Sequence, residues 1–247
     1  MSWELRLGSC LDEATGMPSM AAESVDVTIT DPPYSEYVDG NSMRSGDRWR
    51  GTQPIERKHL EFAPMNAEVM AAAAKEIGRV TRRWALVFCD VESSHLWRDA
   101  LEASGLQYVR TGAWIKIGGT PQFSGDRPAV GFEAIVIAHR PGKKTWNGGG
   151  KHGVWSVPIE LDRNRKGTRV HPTMKPLGLM EHLVRDFTAP GELVCDPFSG
   201  SGTTGVAALV HGRRFIGWER EPKYHAAAVK RLSVAREQLD IFEERSA

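Results

Sequence analysis

Cysteine is scarce in this chain and long apolar runs are missing. Only Cys10, Cys89 and Cys195 occur among 247 residues, odd in number and far apart. That argues against a disulfide framework or a zinc cage, so no metal is expected and a reducing, cytoplasmic setting is. No apolar stretch approaches the ~20 residues needed to cross a bilayer, so no membrane partner is expected. The start, MSWELRLGS, has no basic segment leading into an apolar core, which argues against a signal peptide. Internal repeats are absent. So is a net charge of one sign: 32 Lys and Arg stand against 31 Asp and Glu, a net of +1.

What is present suits a soluble globular protein, with 40% hydrophobic and 26% charged residues. The length allows one large domain or two small ones. The charge is unevenly spread. Residues 1–40 carry eight acids against Arg6, a net of −7, whereas residues 139–170 carry eight bases against Glu160 and Asp162, a net of +6. The basic stretch includes Lys143, Lys144 and Lys151; it reads either as a phosphate-binding surface or as a solvated loop.

Apolar and β-branched runs predict strands at Val25–Thr30, Trp84–Cys89, Tyr108–Ile115, Glu133–Ala138, Glu192–Cys195 and Arg214–Trp218. Helical spacing predicts helices at Asn66–Val80, Ser94–Ala103, Pro176–Phe187, Thr203–His211 and Pro222–Leu239. Near-continuous runs such as WALVFC suit strands covered on both faces. The alternation of strands with helices makes the class α/β. Two stretches break it: Ser35–Pro64, polar and carrying Arg44, Arg48, Trp49 and Arg50, and the Gly-rich, basic Pro141–Arg169. Long irregular segments of this kind are usually functional or disordered.

Residues 192–221 read as strand, glycine-rich turn, helix and strand, with GSGTTG supplying Gly200, Gly202 and Gly205. Glycines let backbone approach a ligand and open a helix whose free N–H groups face it. Glu219 ends the next strand, 17 residues after Gly202, where an acid can take both hydroxyls of a ribose. An adenosine-containing cofactor is therefore expected, against the plainer reading of a tight turn. Asp196 stands just before the turn. A carboxylate there repels pyrophosphate and suits an ammonium, which favours S-adenosylmethionine over NAD.

Near the amino end, the strand Val25–Thr30 stops at Asp31, Pro32, Pro33 and Tyr34. Prolines cannot donate to a ladder, so the strand presents an acid and an aromatic ring at its carboxyl end. Taken alone this is as readily a strand-ending turn.

Taken together, DPPY (31–34), HPTMKP (171–176) and DPFSGSGTTG (196–205), in that order, resemble the amino-group DNA methyltransferases of the β arrangement. FSGDRPAVGFE (123–133) resembles a further segment of that family, and the resemblance runs from about Leu5 to Leu232. It implies a single Rossmann-like methyltransferase domain with helices on both faces of the sheet and a circularly permuted motif order. It also implies methyl transfer from S-adenosylmethionine to the exocyclic amine of a flipped DNA base. Asp31 and the Pro32 carbonyl would accept the two amine hydrogens, the Pro32–Pro33 pair would keep them preorganised, and Tyr34 would stack on the base. Asp196, Phe198, Gly200, Gly202 and Glu219 are implied around the cofactor, with His171, Thr173 and Lys175 near its methionine end. Ser9 and Cys10 lie in LGSCL, where the family often has an acid on the cofactor's adenine; Asp12 is a nearby substitute.

DPPY goes more often with adenine in this family, which favours adenine N6 over cytosine N4. Residues 35–64 are expected to form a flap carrying DNA-binding Arg44, Arg48 and Arg50, with Trp49 either filling the gap in the stack or packing on the flap. Residues of about 141–169 are expected as a short target-recognition segment, with Asn147, His152 and Trp155 as base readers and a short or loose recognition site. DNA is the expected partner; a second copy of the chain and a cognate restriction enzyme are candidates. Rival readings are an NAD(P)-dependent oxidoreductase, a silent DNA-binding protein on the same scaffold, and a methyltransferase acting on RNA or a protein amide. The first leaves DPPY and HPTMKP unexplained, and the acid at Asp31 speaks against the others.

Overall fold

The computed structural model describes residues 2–33, 65–119, 121, 128–159 and 174–246. Eight strands occur among them: β1 (Trp3–Leu7), β2 (Val25–Thr30), β3 (Thr81–Cys89), β4 (Gln107–Ile117), β5 (Phe132–His139), β6 (Val154–Pro158), β7 (Leu193–Asp196) and β8 (Arg214–Glu219). The helices are α1 (Ala67–Val80), α2 (Ser94–Ala103), α3 (Leu177–Phe187), α4 (Thr203–Val210) and α5 (Pro222–Ser246). All six expected strands and all five expected helices form. Two strands, β1 and β6, were not foreseen, and α5 runs past Leu239 to Ser246. Among the described residues, no helix is long and apolar enough to cross a membrane.

The strands form one sheet in the order β1-β8-β7-β2-β3-β5-β4-β6. From β1 to β3 all neighbours are parallel; β5 is antiparallel to both β3 and β4, and β6 is parallel to β4. From the central pair β7 and β2 the chain builds outward in opposite directions, β8 on one side and β3 on the other. That is a topological switch point, where ligands of open α/β sheets bind beyond the carboxyl ends of the strands.

Period-two alternation sends neighbouring residues of each strand into two different cores. Leu86, Phe88, Ile135, Ile137, Val194 and Phe215 pack with α3, α4 and α5 on one face. Ala85, Val87, Val136, Ala138, Cys195 and Ile216 pack with α1 and α2 on the other. Two covered faces explain why β2 is buried at every position. Local chemistry fixes the helix ends. The Asn66 side chain accepts from the Val69 N–H at 2.9 Å and caps α1. Gly202, at φ +77°, starts α4 in the left-handed region, and a Cβ there would meet that of Ala228 on α5 at 3.0 Å.

Candidate active site

Register brings five chemically active positions to one edge of the sheet. Thr30 pairs with Val87, which sets Asp31, the next residue, level with Phe88. Phe88 pairs with Ile135 and Cys89 with Ala134, so the start of antiparallel β5, with Glu133, lies on that same edge. Trp114 pairs with Glu133, which carries Lys116 there on β4. Asp196 ends β7 and Glu219 ends β8 beside them.

Asp31 is ion-paired. Lys175 Nζ, from the stretch preceding α3, lies 2.6 Å from Asp31 Oδ2 and 2.9 Å from Glu133 Oε2. Glu133 Oε1 in turn lies 2.7 Å from Lys116 Nζ. The Lys175 side chain is 6% exposed and that of Asp31 23%. Burial pushes the Asp31 carboxyl up, against the pull of the Lys175 ammonium. Burial also works on Glu133, but Lys175 and Lys116 outweigh it and hold its carboxyl well below the usual range. Pro32 is buried and Pro33 partly so. Tyr34, the remaining member of the expected catalytic set, lies outside the described residues.

A second network ties this edge to the glycine turn. Thr30 Oγ1 donates to Asp196 Oδ1 at 2.7 Å, Thr204 Oγ1 to Oδ2 at 2.6 Å, and the Phe198 N–H to Oδ1 at 3.1 Å. Asp196 thus joins β2, β7 and the start of α4 through one buried carboxyl, which burial raises to about 6 in spite of these donors. Gly200 and Gly202 both have positive φ, at +51° and +77°. Arg231 on α5 donates to the Ser201 carbonyl at 2.7 Å and holds the turn from behind. Phe198 packs against the α1 and α2 side of the core.

Glu219 is 8% exposed and accepts from the Glu221 N–H at 2.7 Å. Burial raises its carboxyl against the backbone N–H groups of Glu221, Gly200 and Arg220. Gly8 donates its N–H to the Glu219 carbonyl at 2.9 Å, which brings Ser9 beside β8. The Ser9 hydroxyl accepts from the Leu11 N–H at 3.2 Å. Cys10 is a buried core residue whose thiol is pushed up to about 12 by burial. Asp12 does not take the place of the missing acid: its Oδ1 accepts from the Ala14 N–H, the Thr15 N–H and the Thr15 hydroxyl, capping its own turn.

The donor set fits the expected cofactor. Two buried carboxylates flanking a glycine turn repel phosphate; burial pushes both upward, and positive charge or further donors would offset it. A cation with a sugar diol and no phosphate supplies both. Asp196, Phe198, Gly200, Gly202 and Glu219 are the residues that would hold it. Lys175, expected at the methionine end, is turned to Asp31 and Glu133 instead. His171 and Thr173 lie outside the described residues.

A family model described as DNA methylase matches residues 25–230. The chain belongs to the DNA methylase family. Type II methyltransferase M2.DpnII of Streptococcus pneumoniae is 30% identical over 240 residues, covering 90% of this chain and 87% of that protein. Type II methyltransferase M.HinfI of Haemophilus influenzae is 27% identical over 243 residues, covering 91% and 67%. The crystal structure of the M1.HpyAVI–SAM complex superposes with a TM-score of 0.66 at 25% identity, covering 93% of this chain and 98% of that one.

In this DNA methylase the described bases of the basic stretch, within residues 140–151, start at the amino end of β3. Arg140 N–H donates to the Arg83 carbonyl and Trp84 Nε1 to the Thr145 carbonyl, at the amino end of β3. Lys143 and Lys144 therefore lie at the edge of the sheet opposite Asp31. Lys144 Nζ donates to the Pro141 carbonyl, and Lys151 pairs with Asp186 at 2.8 Å. Two expected base readers are structural. Asn147 Nδ2 donates to the carbonyls of Arg185 and Thr188, and Trp155 is buried with its indole N–H toward Asp186. His152 is exposed. Arg44, Arg48, Trp49 and Arg50 lie outside the described residues.

The sequence missed Glu133, Lys116, Thr30 and Thr204. Glu133 closes the FSGDRPAVGFE segment, so its place in a family motif was the one available signal. Nothing in the spacing joins Lys116 to it; only the β4–β5 register does.

Proposed function

We propose that this DNA methyltransferase moves the methyl group of S-adenosylmethionine to the exocyclic N6 amine of an adenine flipped out of duplex DNA. The observation that carries the reading is the Asp31 carboxylate at the switch point, joined through Thr30 and Asp196 to the glycine turn. An exocyclic amine is a poor nucleophile because its lone pair is delocalised into the ring. Asp31 and the Pro32 carbonyl accept its two hydrogens and favour a pyramidal nitrogen, and proline on both sides of that carbonyl keeps it in place before substrate arrives. S-adenosylmethionine, when bound, supplies a methyl carbon to that nitrogen, the C–S bonding pair staying on sulfur while the nitrogen sheds one proton. Asp196 offers its charge to the cofactor's ammonium and Glu219 its carboxylate to the ribose hydroxyls. Tyr34 offers a stacking face to the base. A base within the helix cannot reach this edge, hence the flip.

Residues 35–64 serve on this reading as a flap and, of the segment from about 141 to 169, the part that follows β6 serves in target recognition, all within one domain of a cytoplasmic enzyme. The relatives' Type II names support a restriction–modification setting, with a cognate restriction enzyme as functional partner; a second copy of the chain is the other proposed partner. The second reading is cytosine N4, which suits the same acceptors; the acid at Asp31 favours adenine by family resemblance.

Expression in a methylation-free host, followed by nucleoside mass spectrometry of its DNA, tests the reading. N6-methyladenine is the expected product, and N4-methylcytosine would replace adenine by cytosine. Asp31→Ala should abolish either product while cofactor affinity stays within a few-fold. Loss of both together would make Asp31 a cofactor or folding residue.

A further inference from the structure

We propose that Lys175, oriented by Glu133, is a positioning residue that holds the Asp31 carboxylate as an acceptor aimed at the target amine. Four elements contribute to the arrangement: Asp31 follows β2, Glu133 lies on β5, Lys116 on β4, and Lys175 in the stretch before α3. Charges alternate along it, Lys116 to Glu133 at 2.7 Å, Glu133 to Lys175 at 2.9 Å and Lys175 to Asp31 at 2.6 Å. Two cations and two anions balance, so the group can be buried without a net charge. The two carboxylates in contact with this enclosed ammonium compensate its charge. The Phe88 ring, 5.2 Å from Nζ, adds a favourable face.

Of the remaining groups facing Asp31, Lys116 adds a weaker pull downward and the anions push the other way. Asp196 on β7 is a like charge, Glu133 is another, and the Cys89 thiol at the end of β3 is neutral and cannot compensate. Without Lys175, the Asp31 carboxyl would be pushed further up, toward its protonated form. A protonated carboxyl donates, and a donor facing the amine occupies the very lone pair that must attack. Lys175 takes Oδ2 and so presents Oδ1 to the base. Glu133 keeps the ammonium from swinging away, and Lys116 keeps Glu133 in place. The inference rests on the proposed role of Asp31 as acceptor for the target amine.

The signs of two substitutions separate this role from a merely structural one. Lys175→Met removes the cation that lowers the Asp31 carboxyl, whereas Glu133→Gln removes an anion that raises it. Single-turnover methylation of a duplex oligonucleotide, followed between about pH 5.5 and 9.5, reads both. In Lys175→Met the acidic limb of the profile should move to higher pH by one unit or more. The neutral-pH rate should drop at least tenfold and partly recover in alkali, with S-adenosylmethionine affinity within about threefold of wild type. In Glu133→Gln the limb should move to lower pH. Lys175→Arg should restore most of the rate and the profile. Should Lys175→Met fail to fold, the Glu133→Gln and Lys175→Arg profiles decide. Unmoved limbs, or limbs moving in the same direction, would overturn the proposal. So would a Lys175→Met loss matched by an equal loss of cofactor affinity, which would make Lys175 a cofactor residue. These outcomes are distinguishable from failure of the functional reading, in which wild type itself transfers no methyl group to DNA.

Discussion

Asp196 shows how one side chain couples folding to ligand. Its buried carboxyl is raised from 3.8 to about 6, chiefly by burial. The folded chain therefore holds a proton that the unfolded chain has already lost, and this group alone lowers the stability of the free protein as pH rises through that window. A bound cation reverses the preference and favours the carboxylate. Binding then expels the proton, so affinity for S-adenosylmethionine should grow with pH through about 6 and level off above about 7. Calorimetry from about pH 5 to 7.5 should show it, with Asp196→Asn weak and flat. A wild-type affinity constant over that range would remove the Asp196 charge from recognition. Thr30 and Thr204 lower the same carboxyl, so Thr204→Val should move the midpoint upward. Asp31, Asp196 and Glu219 were legible in sequence because each ends an apolar strand beside a proline or glycine signal. Thr30, Glu133 and Lys116 were not, because their roles come from partners up to 166 residues away that only strand pairing brings near.

At the scale of elements, the strands and helices read correctly are those with a β-branched or apolar run, or with helical spacing of apolar residues. β2, α1 and α2 lie within a residue of their expected limits, since apolar run, cap and turn agree there. The two unforeseen strands sit at the two edges of the sheet. Each has only five residues and is only partly buried, so its apolar signal is too short to recognise. β6 lies inside the basic, Gly-rich stretch expected to be irregular. Helix packing is close behind the cofactor turn. A Cβ on Gly205 of α4 would stand 2.7 Å from Leu232 Cδ2 and 2.7 Å from the Phe215 ring. Gly205→Ala should therefore overpack the α4, α5 and β8 contact and cost about 1–3 kcal/mol. Thermal melts give that loss directly. Because α5 also holds the turn through Arg231, the cofactor should bind more weakly in Gly205→Ala even at temperatures where the variant is fully folded. Undiminished binding would mean that the turn is set by Asp196 and not by helix packing.

At the scale of the whole molecule, the sheet separates chemistry from the charge that first suggested DNA. The acceptors lie toward the carboxyl end of β3, and Lys143 and Lys144 follow Arg140, which bonds Arg83 near its amino end. From Arg83 to Phe88, level with Asp31, is five residues, about 17 Å at ~3.3 Å each. The Debye length at physiological salt is about 8 Å, so these lysines are screened from phosphates flanking a base held at Asp31. Lys151 is further neutralised by Asp186. The other half of the basic stretch follows β6 in sequence. β6 runs parallel to β4, with Ile117 paired to Pro158, so the chain leaves β6 on the edge where Lys116 and Glu133 lie. Arg163, Arg165, Lys166 and Arg169 follow directly in sequence. The dependence of DNA affinity on salt tells the halves apart, because each phosphate contact contributes a slope of about 0.9. Neutralising Lys143 and Lys144 together should leave that slope unchanged. Neutralising Arg163, Arg165 and Lys166 should lower it by about two to three and weaken binding on all sequences alike. A lowered slope from the first pair would mean that DNA wraps past the edge of the sheet. A changed sequence preference at constant slope from the second set would make those side chains base readers.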